Sequence, residues 1–216
     1  MNISTAEAQE TAQLYIDALS AMCIVGKHGD YHVQNPNWIF TKRNYLRNLC
    51  QHWEVGNSDE LKDNIKWSLS VGHRKEFEDM NLALSTQPES DRSHYIEMEK
   101  DNPTRRYKLS IVNDYLERMP PGGIAATDYT WAVFKCCAGF KLDYLTEEEK
   151  WKYINEIIAI IRSNYTNWKD FLISFTVGSA YTSLNRSADY ISENKALLAK
   201  LLVSPYSPLR KVKLNG

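Results

Sequence analysis

His73, Arg74, Glu76 and Asp128 are the polar residues of this chain whose types best suit joint chemistry. An imidazole can take a proton near neutrality, a carboxylate can hold its second ring nitrogen, and a guanidinium can steady a developing anion. The same residues also suit a structural task. Gly72 closes a helical pattern, so His73 and Arg74 fall where orphan helix carbonyls need donors. An aspartate–arginine ion pair is a common way to satisfy a half-buried helix junction. The structural task is the expected one, because catalysis needs converging geometry that spacing does not supply.

Other clusters are weaker. Glu147, Glu148 and Glu149 are consecutive, so on a helix they point about 100° apart, and no Glu-x-x-His pair follows them. They read as a capping box with Thr146 and as acids that suit the positive helix end. His28 and His32 are four apart but lie in a glycine-containing loop without a third ligand, so no metal is expected. Cys23, Cys50, Cys136 and Cys137 form no C-x-x-C pair and no zinc-finger spacing. The adjacent Cys136 and Cys137, inside an apolar run, read as small buried hydrophobes. There is no Gly-x-Ser-x-Gly elbow. Pro120-Pro121-Gly122-Gly123 lacks the lysine and hydroxyl of a phosphate loop. No cofactor is expected.

The chain has 216 residues, a net charge of −1 and a pI near 6.5, which disfavours a general nucleic-acid binder. Two basic clusters, Arg105-Arg106-Lys108 and Arg210-Lys211-Lys213, read as solvated surface. No basic segment leads into an apolar one at Met1–Thr11, and no apolar run approaches the roughly 20 residues of a membrane span. The expectation is a cytoplasmic protein that binds neither membrane nor nucleic acid.

The elements that must position these residues are helices. Ser4 and Glu7 make a capping box, and Ala8, Ala12, Tyr15, Leu19 and Met22 share one face. Thr41 is read as the cap of a helix with Tyr45, Leu46, Leu49 and Trp53 inward. Asn57 caps the next, with Leu61, Ile65 and Leu69 at steps of four. A short helix follows from His73 to Leu84. After the break at residues 120–123, one helix carries Asp128 near its start, and Thr146 and Asn167 cap two more. Ile154, Ile158 and Ile161 line the first of these; Phe171, Leu172 and Phe175 line the second. A last helix covers residues 188–203. Residues 85–106 read as a long polar loop or insertion, and 204–216 as an extended basic tail. Residues 33–40 are the only plausible short strand. The fold class is therefore all-α, one multi-helix domain over residues 1–216 with little or no sheet.

Several short stretches occur in a familiar order: Trp53-Glu54-Val55, Gly72-His73-Arg74 with Phe77, Gly123-Ile124-Ala125-Ala126 with Asp128, and Gly139-Phe140. Tyr144-Leu145-Thr146 with Glu147–Glu149 and Trp151, Asn167-Trp168 with Phe171, Gly178 and Ser207-Pro208 complete the set. From about Trp53 to Pro208 the chain resembles the bacterial domain-of-unknown-function family 1266, which includes YbeU- and YbeR-like proteins. The resemblance implies a mainly helical cytosolic bacterial protein and supplies no activity. Two positions depart from the family pattern: Thr127 stands where it implies tryptophan, and Trp131 where it implies arginine.

The functional expectation is a non-catalytic protein-interaction module, most concretely a bacterial immunity protein that neutralises a cognate toxin. Glu89, Asp91, Tyr95, Glu97, Glu99 and Asp101, in the polar interval, would face a basic protein partner. Oligomeric state is not specified. The alternative is an enzyme with a polar site around His73, Arg74 and Asp128.

Overall fold

The helix Ala125–Lys141 carries small or apolar residues on every side, and such a helix has to lie inside the molecule. It is buried along 14 of its 17 residues, so the other helices are arranged around it. The computed structural model describes residues 5–23, 36–183, 196 and 198–214. In chain order the helices are α1 (Thr5–Cys23), α2 (Arg43–His52), α3 (Ser58–Ser70), α4 (Gly72–Ser85), α5 (Glu89–Glu97), α6 (Pro103–Asp114), α7 (Ala125–Lys141), α8 (Glu147–Asn164) and α9 (Trp168–Thr182). Residues 198–203 are also helical, and short 3-10 turns span Pro36–Thr41 and Pro208–Lys211. The described residues contain no strand. None of the described helices is long and apolar enough to cross a membrane.

α7 packs against α1, α3, α8, α9 and α4. Leu19, Leu61, Ile65, Phe134, Ile157, Ile161, Phe171 and Phe175 belong to the main core around it. A second, smaller cluster lies under α4, α5 and α6, built from Phe77, Met80, Leu84, Ile96, Leu109, Val112 and Tyr181. α7 and α9 approach closely because Gly178 has no side chain: a Cβ there would sit 2.2 Å from Thr127 Oγ1. Thr127 instead donates to the Phe175 carbonyl at 3.0 Å.

The caps expected at Asn57, Thr146 and Asn167 all form. Their side chains accept the amides of Glu60 at 3.0 Å, Glu149 at 3.1 Å and Asp170 at 2.9 Å. Glu149 returns the bond to the Thr146 amide and pairs with Lys62 at 2.6 Å, while Glu147 accepts from Trp151 Nε1. The three acids thus serve the helix end. The four cysteines are free thiols.

Four expectations are corrected. Residues 85–106 are not a long loop: α5 forms there, anchored by buried Ile96, and Asn102 caps α6 with Pro103 in its first turn. The stretch 204–216, expected as an extended basic tail, is packed against the domain over its residues 207–214. Leu209, Val212 and Leu214 are buried in the main core, and the Lys213 carbonyl accepts from Tyr15 Oη at 2.7 Å. Residues 36–41 form a 3-10 turn where a short strand was expected. Thr41 does not cap α2, since its hydroxyl donates back to the Trp38 carbonyl, and Tyr45 points outward, 38% exposed. The Ser4 cap, the His28–His32 pair and the beginning of the last helix lie outside the described residues.

Candidate functional site

α3 and α4 meet at a sharp elbow, and both of its helix ends need partners. Gly72 makes the bend with φ of +61°, a conformation that strains any residue with a Cβ. α4 has no side-chain cap of its own at Val71. Asp128, projecting from the first turn of α7, supplies one. Its Oδ1 accepts the His73 amide at 2.9 Å and its Oδ2 the Arg74 amide at 3.2 Å. Arg74 turns the other way: Nη1 donates to the Ser68 carbonyl at 2.6 Å and Nη2 to the Leu69 carbonyl, satisfying the end of α3. Nη1 also meets Asp128 Oδ2 at 3.2 Å, and the guanidinium lies 5.3 Å from the Tyr129 ring centroid. One ion pair therefore closes both helix ends.

This arrangement brings His73, Arg74 and Asp128 together but gives them structural work. Asp128 holds the backbone of His73, and the imidazole instead stands edge-on to Trp67, 5.0 Å between centroids. Glu76 is drawn away to Lys108 at 2.5 Å. The Asp128 side chain is 1% exposed, so its oxygens are enclosed by the bonds just described.

Beside the elbow lies a cleft of about 660 Å³, walled by Trp53, Asn64, Trp67, His73, Trp131 and Lys135, with His52, Glu54, Ser68, Thr127, Asp128 and Thr182 completing it. Asp128, Trp131 and Lys135 follow one another at i, i+3 and i+7, which places them along one face of α7. Trp53 and Trp131 pack edge to face, 5.9 Å apart, and both rings lean on Phe134. Lys135 is 7% exposed and lies 5.3 Å from the Trp53 ring centroid. It forms no ion pair among the described residues. Burial pulls its pKa down to about 8, against the opposing charge of Asp128. Burial likewise lowers the His73 pKa, with Asp128 opposing. Asn64 Oδ1 is buried without a hydrogen-bond partner. The cleft is thus lined by one buried lysine, an imidazole and three indoles.

Lys135 is the site residue that sequence reasoning missed. Its signal was visible, since a lone lysine between Phe134 and Cys136 in an apolar helix has no route to solvent on that helix. Trp131, where an arginine was implied, presents an indole to the cleft.

The polar interval is arranged differently. Glu89 and Asp91 are exposed in the first turn of α5, and Asp101 is exposed beyond it. Glu97 pairs with Arg106, and Glu99 with Arg105 at 2.7 Å. Tyr95 is half-buried against the second apolar cluster. Among these acids Met98 stands 69% exposed. No group of three or more His, Cys, Asp or Glu residues among those described is placed to hold a metal ion.

No curated protein and no solved structure matches the chain. One family model does, described as "Protein of unknown function (DUF1266)", over residues 48–214, a stretch that contains the elbow, the cleft and α5. The chain belongs to the DUF1266 family.

Proposed function

We propose that this protein is a non-catalytic interaction module, most concretely a bacterial immunity protein that binds and neutralises a cognate toxin. The observation that carries this reading is Met98. It is an exposed apolar side chain at the C-terminal end of α5, between Glu97 and Glu99 in the sequence, and α5 itself buries only Ile96. An apolar anchor inside a charged rim is how protein interfaces are built, and acids around it steer a basic partner. Glu89, Asp91 and Asp101 are the acids available to such a partner; Glu97 and Glu99, already paired to arginines, hold the α5–α6 corner in shape. The test is binding to, and protection from, the product of the adjacent gene. Glu89→Lys/Asp91→Lys/Asp101→Lys and Met98→Ala should each weaken both. A neighbouring product that neither binds this protein nor harms cells lacking it would sink the reading.

A second reading is an enzyme, favoured by His73, its pKa lowered, and Lys135, its pKa drawn down to about 8, lining one cleft. There Asp128 positions His73 through its backbone amide, Arg74 holds Asp128, and neither touches substrate. Turnover lost in His73→Ala, with folding intact, would support it over the first.

A further inference from the structure

Lys135 is an expensive residue to keep where it is. A buried ammonium without a counter-ion costs several kcal/mol relative to an apolar side chain of the same shape. Only the face of Trp53 offers it direct compensation among the described residues. Arg74, the other cation nearby, is committed to two carbonyls and Asp128. A negative group entering the cleft would meet one unpaired positive charge at its inner wall.

We propose that this cleft binds a small organic carboxylate with a flat apolar body, the carboxylate against Lys135 and the ring among Trp53, Trp67 and Trp131. The single ammonium fits a monoanion. His52, Glu54 and His73 line the same cleft beside Asp128, whose charge is committed to Arg74, so Lys135 is its one uncommitted cation and a phosphate dianion would keep a charge unmatched. The indoles favour a planar, apolar ligand over a sugar or a polyol. A volume of about 660 Å³ admits a molecule of that size, within the roughly 300–1,000 Å³ usual for ligand pockets. This site is separate from the α5 edge and stands or falls independently of the toxin reading.

The test is calorimetric titration of the whole protein with indole-3-acetate, tryptamine and inorganic phosphate. Indole-3-acetate should bind with Kd below about 1 mM, with Lys135→Met and Trp131→Ala each weakening it at least about tenfold and Lys135→Arg largely retaining it. Wild-type Lys135 should also be shielded from acetic anhydride by indole-3-acetate, read by peptide mass mapping. That measurement serves even where Lys135→Met fails to fold. Tryptamine binding as tightly as indole-3-acetate, phosphate binding as tightly, no heat with indole-3-acetate, or no shielding of Lys135 would each overturn the proposal. The α5 triple charge reversal should leave this binding unchanged, which separates failure here from failure at the α5 edge.

Discussion

Asp128 caps a helix to which it does not belong: its Oδ1 accepts the amide of His73, the second residue of α4, at 2.9 Å, across a sequence separation of 55. The same carboxylate neutralises Arg74, so removing it uncaps α4 and leaves a guanidinium half-enclosed at the elbow. Asp128→Ala should cost about 3 kcal/mol. Asp128→Asn, which keeps an acceptor but not the charge, should cost less, about 2 kcal/mol. Urea unfolding checks both, with an unchanged dependence on denaturant. Near-neutral values would mean that the elbow is held by other contacts.

Gly72→Ala should destabilise by two routes at once. A φ of +61° strains alanine by about 1 kcal/mol. In addition, the new Cβ would lie 2.2 Å from Asp128 Oδ2 and 2.5 Å from Arg74 Nη1, so the ion pair has to give way. In an Asp128→Ala background the clash with the carboxylate disappears, leaving the backbone part and the contact with Arg74. A double-mutant cycle by thermal or urea unfolding measures that difference.

Lys135 makes stability depend on pH in a defined direction. Its folded pKa, about 8, lies below the ordinary 10.5, so between those values the unfolded chain holds the proton and the folded one releases it. Stability therefore rises with pH across that window, and below about pH 8 the full penalty is present. Lys135→Met should be more stable than wild type at pH 7, by as much as about 3 kcal/mol, and the gain should shrink towards pH 10.5. Paired unfolding curves at pH 7 and 10 decide it. A gain that is constant with pH would mean that the ammonium is not what the cleft penalises.

Ending the chain after Ser204 should abolish cooperative folding. It removes Leu209, Val212 and Leu214, all buried in the main core, and each side chain of this kind contributes about 1.5–3 kcal/mol. It also removes the carbonyls of Val212 and Lys213, which accept from Trp168 and Tyr15 at 2.8 and 2.7 Å. The loss approaches the whole stability of an ordinary domain. Circular dichroism with heating reads it out, and an unchanged melt would refute it.

What could be read in advance was local. The caps at Asn57, Thr146 and Asn167 satisfy amides within three residues, so their patterns are complete in a short window. The structural role of the Asp128–Arg74 pair was likewise anticipated from Gly72, the glycine at the junction of α3 and α4. α5 was missed because a nine-residue helix with one fully buried anchor, Ile96, leaves almost no periodic apolar signal. The segment after Ser207 was misread because its lysines and arginines dominate the composition, while Leu209, Val212 and Leu214 do the packing. The cleft was invisible for a different reason. It forms where α2, α3, α4 and α7 converge, and no spacing along the chain specifies that convergence.

The bond from Tyr15 Oη to the Lys213 carbonyl joins positions 198 residues apart. α1 and the 3-10 turn at Pro208–Lys211 pack directly on each other. Contacts of such length are the slow ones, because the loop they close has to be ordered before they stabilise anything. During synthesis, α1 leaves the ribosome before residues 208–214 and keeps an apolar face without its final cover until they follow. Through that interval the nascent chain carries an exposed sticky stripe that chaperones can bind.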